Sequence, residues 1–201
     1  FRRVLFRSSF GFNSGSGVQQ GTGSAANAAD GSWLNYLSGS VSGNVAGFRG
    51  APGSAYQLAP KFSMYVKTGA NAADIQTCRI HIGLYSADPS ASDTPSSHYM
   101  SFRYIPSLDG TAFWRTCTDN GSGTPTVTTT TAAIASNTAY HLYIDATNAS
   151  SIKFYINGTL VATHTTTLPG ATTTLQAVCF NTTLSAAGVN IKLGKCFVES
   201  Y

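Results

Sequence analysis

Seven aspartates, a single glutamate, four histidines and a set of arginine and aromatic residues at alternating positions are what this 201-residue sequence offers for chemistry. Paired carboxylates support general acid–base work, and a histidine beside a hydroxyl or thiol activates a nucleophile. The carboxylates do not pair in sequence. Glu199 stands near the end, and Asp74, Asp88, Asp93, Asp109, Asp119 and Asp145 fall mostly in turn-like stretches, where the side chain caps nearby backbone. The Gly-x-Ser-x-Gly elbow of serine hydrolases is missing. His81, His98, His141 and His164 are dispersed, and each is expected at a surface strand position. With acid, base and nucleophile scattered, the chain is expected not to be an enzyme.

Metal chemistry is equally thin. Asp88-Pro89-Ser90-Ala91-Ser92-Asp93 puts two carboxylates and hydroxyls in one loop, a weak calcium set. Calcium prefers more oxygens and a bidentate glutamate, so the favoured reading is a solvated turn with no metal and no cofactor. Cys78, Cys117, Cys179 and Cys196 have no Cys-x-x-Cys or Cys/His spacing, which argues against zinc. Their disulfide pairing is open, and free thiols are favoured because a chain of this size can build its core without staples.

Strand parity supplies the remaining candidates. If Ile80 and Ile82 face a core, then Arg79, His81 and Tyr85 face out, and neighbouring strands add Arg103, Trp114 and Arg115. Rings beside a guanidinium suit the C–H faces and hydroxyls of a sugar. The competing reading makes Trp114 a packing residue, with Arg103 and Arg115 only solubilising the outer face.

The elements that must position these residues are strands. Phe62, Met64 and Val66 alternate with Ser63, Tyr65 and Lys67, and Cys78, Ile80, Ile82 and Leu84 alternate with Arg79, His81, Gly83 and Tyr85. The pattern recurs over 98–105, 112–118, 140–144, 152–156, 175–181 and 189–193, separated by Gly-, Pro- and Asp-rich turns. Many short strands with no convincing helix between them predict an all-β, two-sheet antiparallel sandwich over 32–201. Asn157-Gly158, between Ile156 and Thr159-Leu160, predicts a hairpin with a two-residue type I′ turn. The Thr tracts at 128–131, 165–167 and 172–174 suit exposed strand positions or loops.

Composition agrees with that class. Charged residues make up 10% of the chain, against about 25% in an average protein. No apolar run reaches the roughly 18–20 residues of a membrane-spanning helix. The formal charge is +4, but Arg2, Arg3 and Arg7 supply 3 of the 12 basic residues, and without them 9 stand against 8 acidic ones. No clustered basic face for nucleic acid remains. The opening Phe1 to Ser8 is identical to the conceptual translation of a common sequencing-library adapter end and reads as a scar, so the natural start is expected to be missing and a signal peptide is left open. Residues 9–31, rich in Gly, Ser, Ala and Asn, read as a loose entry segment.

The hairpin Phe154-Tyr155-Ile156-Asn157-Gly158-Thr159-Leu160-Val161-Ala162, preceded by Tyr140 to Ile144 and followed by a closing strand Val189 to Val198, resembles concanavalin A-like and laminin-G-like jelly rolls. Phe102-Arg103-Tyr104, then Trp114 and an Asn-Gly turn, resemble the versions in bacteriophage tail-fibre and other virion proteins. The resemblance covers 61–201 and implies a jelly roll. Some relatives of that fold are glycoside hydrolases with a Glu-x-Asp-x-x-Glu type strand, which is not found here. The expected role is a non-catalytic virion structural or adhesion module, tail-fibre or capsid-associated, recognising surface glycans. The alternative is a secreted bacterial lectin-like or carbohydrate-binding domain. Expected partners are a cell-surface carbohydrate, other virion proteins or a second copy of the chain, in a virion or extracellular setting.

Overall fold

The computed structural model describes residues 34–37, 42–50, 53–185 and 189–200. The adapter-like residues 1–8 and the entry segment 9–31 lie outside them. The strands are β1 (Leu34–Leu37), β2 (Val45–Arg49), β3 (Ser54–Ala55), β4 (Lys61–Thr68), β5 (Cys78–Tyr85), β6 (His98–Tyr104), β7 (Phe113–Asn120), β8 (Thr126–Ala133), β9 (Ala139–Asn148), β10 (Ser151–Ile156), β11 (Thr159–His164), β12 (Thr174–Thr183) and β13 (Asn190–Glu199). A single turn of helix, α1 (Pro106–Asp109), follows β6. One sheet has the order β1-β13-β4-β9-β10-β11; the other runs β2-β12-β5-β6-β7-β8, with the short β3 also on β12. Every pairing is antiparallel. The protein is therefore an all-β, two-sheet antiparallel sandwich, as its alternation predicts, and the jelly roll is what the resemblance implies.

The apolar parity of each strand meets between the sheets. Phe62, Met64 and Val66 of β4, Leu142 and Ile144 of β9, and Phe154 of β10 face Ile80, Ile82 and Leu84 of β5, Phe102 of β6 and Trp114 of β7, all buried. Phe102 and Phe154 meet edge to face with centroids 5.6 Å apart, a favoured geometry for a ring pair. Asn157 and Gly158 both have positive φ, 52° and 81°, with Ile156 opposite Thr159. That is the type I′ hairpin read from the Asn-Gly pair.

Two local differences have plain causes. β8 includes the Thr tract, whose uniform composition hides the period of 2 that marks the other strands. Two histidines expected at the surface are enclosed: His81 and His164 are 1% and 2% exposed. His164 holds the hydroxyls of Thr116, Thr118 and Thr128 at 3.0 Å each, so its polar atoms are satisfied by β7 and β8 rather than by water.

Candidate functional site

Except for Trp114, the residues singled out by parity gather on the outer face of the seven-stranded sheet. The register aligns Phe180, His81, Arg103, Arg115 and Thr129 in one row across β12, β5, β6, β7 and β8. A parallel row runs Gln176, Tyr85, Tyr99, Asp119, and between them lie the small residues Gly83, Ser101 and Cys117. This face is not open. The connection between β5 and β6, residues 86–97, folds back over it and is gripped through its main-chain carbonyls. Arg79 Nη1 and Thr182 Oγ1 both donate to the Ser90 carbonyl at 2.9 and 3.0 Å, His81 Nε2 to Ser92 at 3.0 Å, and Arg103 Nη1 to Asp93 at 3.3 Å.

Enclosure sets the electrostatics. Burial, reinforced by the Arg103 and Arg79 guanidinium groups, pulls the His81 pKa down to about 3. The neutral ring donates from Nε2, so its Nδ1 accepts from the Tyr85 hydroxyl at 2.9 Å. Arg103 is 3% exposed and keeps its charge because Asp109, carried by α1, meets it with both oxygens, at 2.9 Å from Nε and 2.7 Å from Nη2. Arg115 Nη2 donates to the Asp109 carbonyl. Tyr99 Oη, Arg115 Nη1 and Asp119 Oδ2 are enclosed without a protein partner, a capacity of the kind that ordered water satisfies.

Reading His81, Tyr85, Arg103, Trp114 and Arg115 as one solvent-facing row is therefore corrected. His81, Tyr85, Arg103 and Arg115 do share a face, but the first three are 1%, 0% and 3% exposed beneath the loop. Trp114 is on the opposite side of β7, fully buried against Tyr140 with centroids 5.6 Å apart. Adjacent residues of one strand point to opposite faces, so Trp114 and Arg115 cannot join the same surface. Asp88 and Asp93 do not converge as a calcium set. Asp88 Oδ1 accepts from the Ser90 amide at 2.8 Å, and Asp93 Oδ1 from Arg79 Nε at 2.5 Å. Among the described residues, no group of three or more His, Cys, Asp or Glu side chains is placed to hold a metal ion.

The other outer face carries what sequence reading missed. On the six-stranded sheet, Tyr65 of β4 lies opposite His141 of β9, and Tyr143 of β9 opposite Tyr155 of β10. Their rings form a continuous run. Tyr65 and His141 stack at 4.4 Å with planes 10° apart, His141 and Tyr143 follow at 6.4 Å, and Tyr143 and Tyr155 at 5.5 Å. Ser63 Oγ and His141 Nε2 share a hydrogen bond of 2.8 Å that fixes the imidazole, and burial lowers the His141 pKa so that the ring is neutral at pH 7. His141 and Tyr143 thus each have a ring neighbour on both sides. Tyr65 ends the run and is 42% exposed. The side of the ring away from His141 is the β13 side, where the ladder slips between Leu193 and Cys196 and two residues, Gly194 and Lys195, oppose Tyr65. The signal was present in the sequence: Tyr65, His141, Tyr143 and Tyr155 are the odd positions of strands whose even positions are core.

At the far end of this face the acids alternate with bases. The register runs Glu199, Lys61, Asp145, Lys153, so a cation occupies the space between the two carboxylates. A glycosidase needs that space for the scissile bond.

Solved structures share the fold. The GH16 protein of the Bacteroides ovatus mixed linkage glucan PUL, in complex with a G4G4G3G product, superposes with a TM-score of 0.59 at 10% identity over 86% of this chain and 83% of its own. The carbohydrate binding module CBM66 from Bacillus subtilis gives 0.51 at 12% identity over 85% of this chain and 92% of its own. A sialidase gives 0.55 at 14% identity over 84% of this chain, which spans only 15% of the sialidase. At such identities the likeness establishes the concanavalin A-like jelly roll. No curated protein matches the chain in sequence. The model of the SO2946-like, C-terminal domain family matches residues 40–194, and the chain belongs to that family.

Proposed function

We propose that this domain is a non-catalytic glycan-recognition module. The observation that carries the reading is Tyr65, an aromatic ring stacked on His141 at 4.4 Å and 42% exposed on the outer face of a sheet. Pyranose rings present C–H faces that pack on such a ring, and the surrounding hydroxyl, amine and carboxylate side chains suit sugar hydroxyls. The solved relatives that bind or cleave carbohydrate lend support through their shared fold. The acids weigh against catalysis: Asp109 is bound to Arg103, Asp93 to Arg79, and Asp145 and Glu199 flank Lys61.

The setting we propose is a virion or another extracellular surface, with the domain acting as an adhesion module. The supporting feature is the resemblance of residues 61–201 to tail-fibre and virion jelly rolls. A shallow, exposed site of this kind gives weak single-site affinity, which repeated copies raise by avidity. The test is a glycan array probed with the full chain, coupled to a reducing-sugar assay on every polysaccharide bound. Reproducible retention without product release supports the reading. An array with no bound glycan overturns it, and time-dependent sugar release overturns its non-catalytic part.

A further inference from the structure

We infer that Asn157-Gly158 is a site of spontaneous modification, where the asparagine converts to aspartate and isoaspartate, and that the isoaspartate form releases the ring run from its clamp. The chain has two Asn-Gly pairs, Asn120-Gly121 and Asn157-Gly158, and the fold treats them differently. A glycine amide after asparagine can attack the side-chain Cγ, because no side chain shields the nitrogen. The amide gives its proton to solvent base as the new C–N bond forms. The Cγ–Nδ2 bond then breaks, Nδ2 takes up a proton and leaves as ammonia, and a five-membered succinimide is closed. Water opens that ring at either carbonyl carbon. One opening gives aspartate, and the other leads the main chain through the former side chain, as isoaspartate with an extra methylene in the backbone.

At Asn157 the nucleophile is accessible and the electrophile is polarised. Both residues of the pair are exposed, and the Gly158 amide donates to no group among the described residues. The His141 amide donates to Asn157 Oδ1 at 2.8 Å, the atom on which negative charge develops as the nitrogen adds. At Asn120 the nucleophile is held instead. The Gly121 amide donates to Asp119 Oδ1 at 2.7 Å, and the amides of Ser122 and Gly123 reach the same oxygen at 2.9 and 3.3 Å. Asp119 is 0% exposed, and a carboxylate in such a place opposes loss of the proton it accepts.

Asn157 also clamps the ring run. Its main-chain amide donates to the His141 carbonyl at 2.8 Å, its side chain accepts from the His141 amide, and the His141 ring stacks on Tyr65. Aspartate keeps an acceptor oxygen in place. Isoaspartate lengthens a turn closed by two residues and withdraws that oxygen from His141, so the stack loosens. The effect on glycan binding rests on the reading above, whereas the modification does not.

Peptide mapping of the full chain aged at pH 8, with isoaspartate detected by enzymatic methylation, tests this. Asn157 should convert about tenfold faster than Asn120, equivalent to about 1.4 kcal/mol in barrier. In denaturant, where neither turn persists, the two rates should converge. Equal rates in the folded chain, or faster conversion of Asn120, overturn the site. A ratio that denaturant leaves unchanged overturns the roles given to His141 and Asp119. Asn157→Gly suits the same turn and lacks the amide, so its conversion signal there should vanish. Near-ultraviolet circular dichroism of tyrosine reads the ring run without any sugar. The separated isoaspartate form should lose signal that Asn157→Asp keeps, and an isoaspartate form with the parent spectrum overturns the release. Glycan-array retention that falls with isoaspartate content supports the link to binding, and an empty array overturns the glycan reading alone.

Discussion

His81 and Arg103 are direct partners across β5 and β6, and both donate to the same overlying loop, His81 to the Ser92 carbonyl and Arg103 to that of Asp93. The pair turns what alternation presents as an outer face into an interior. The loop replaces water by carbonyl oxygens, and α1 supplies the countercharge. The outer face of one sheet thus becomes a second, polar core, whereas the corresponding face of the other sheet carries the ring run that ends at the exposed Tyr65.

The countercharge gives the first prediction. Asp109 meets a guanidinium that is 4% exposed as a side chain, so Asp109→Ala leaves a buried cation alone. Removing one partner of a buried pair costs about 3–5 kcal/mol. Asp93, whose side chain is 37% exposed against Arg79, belongs to the weaker class, and Asp93→Asn should cost under about 1 kcal/mol. Urea unfolding of both variants provides the comparison. Equal losses would mean that the loop, and not the ion pair, holds the face together.

The enclosed histidines give the second. Burial lowers His81 to about 3 and His164 to about 4, below the ordinary 6.5. Between those values the unfolded chain binds protons that the folded chain refuses, so stability rises with pH there. The contribution is fully present above about 6.5 and is lost as pH falls toward the folded values. Each histidine adds a slope of up to about 1.4 kcal/mol per pH unit. His164→Gln retains a group able to bond Thr116 or Thr118 and removes one such slope. Urea melts at pH 7 and pH 5 should show the variant losing less stability than the parent. An equal loss in both would place His164 in contact with water.

Much of this was readable from the residues, and the gaps have physical causes. Alternation at 78–85 assigned every side chain of β5 to the correct side, because the period of a strand is 2 whatever lies above it. It did not predict exposure, since that depends on a loop gripped mainly through backbone carbonyls, which carry no sequence identity, with the Arg79–Asp93 pair as the one side-chain contact described between them. Trp114 and Arg115 are different: their adjacency alone rules out a shared face. The ring run on the other sheet was legible too, as Tyr65, His141, Tyr143 and Tyr155 alternate with core residues. Only the register of the β4–β9 and β9–β10 pairings brings them into contact, and the Asn157-Gly158 hairpin then joins β10 to β11.

That hairpin is itself testable. Gly158 has φ of 81° and nothing within 4 Å of an added Cβ, so substitution there meets conformational strain and no clash. Gly158→Val should destabilise by about 1–3 kcal/mol, the usual cost of a bulky residue held at positive φ. Gly158→Asn should recover most of that loss, because asparagine tolerates the left-handed region. Thermal melts rank the three proteins. Equal stability of the valine and asparagine variants would show that the turn relaxes to another type.

The cysteines supply the last prediction. All four are free thiols, with Cys78, Cys117 and Cys179 buried and Cys196 partly exposed. Burial pushes Cys78, Cys117 and Cys196 up to about 12, and raises Cys179 further. The Arg103 guanidinium works in the opposite direction at Cys117, but desolvation dominates. Because the thiolate is the reacting species, a thiol at about 12 is ionised at only about one part in 10⁴ at pH 8. An aromatic disulfide reagent added to the folded protein should therefore label slowly, with the partly exposed Cys196 first. Unfolding in guanidinium without reductant should then release four equivalents at once. Two equivalents would reveal a disulfide that the fold does not contain, and rapid labelling of all four before denaturant would mean that the sandwich opens far more readily than its packed core implies.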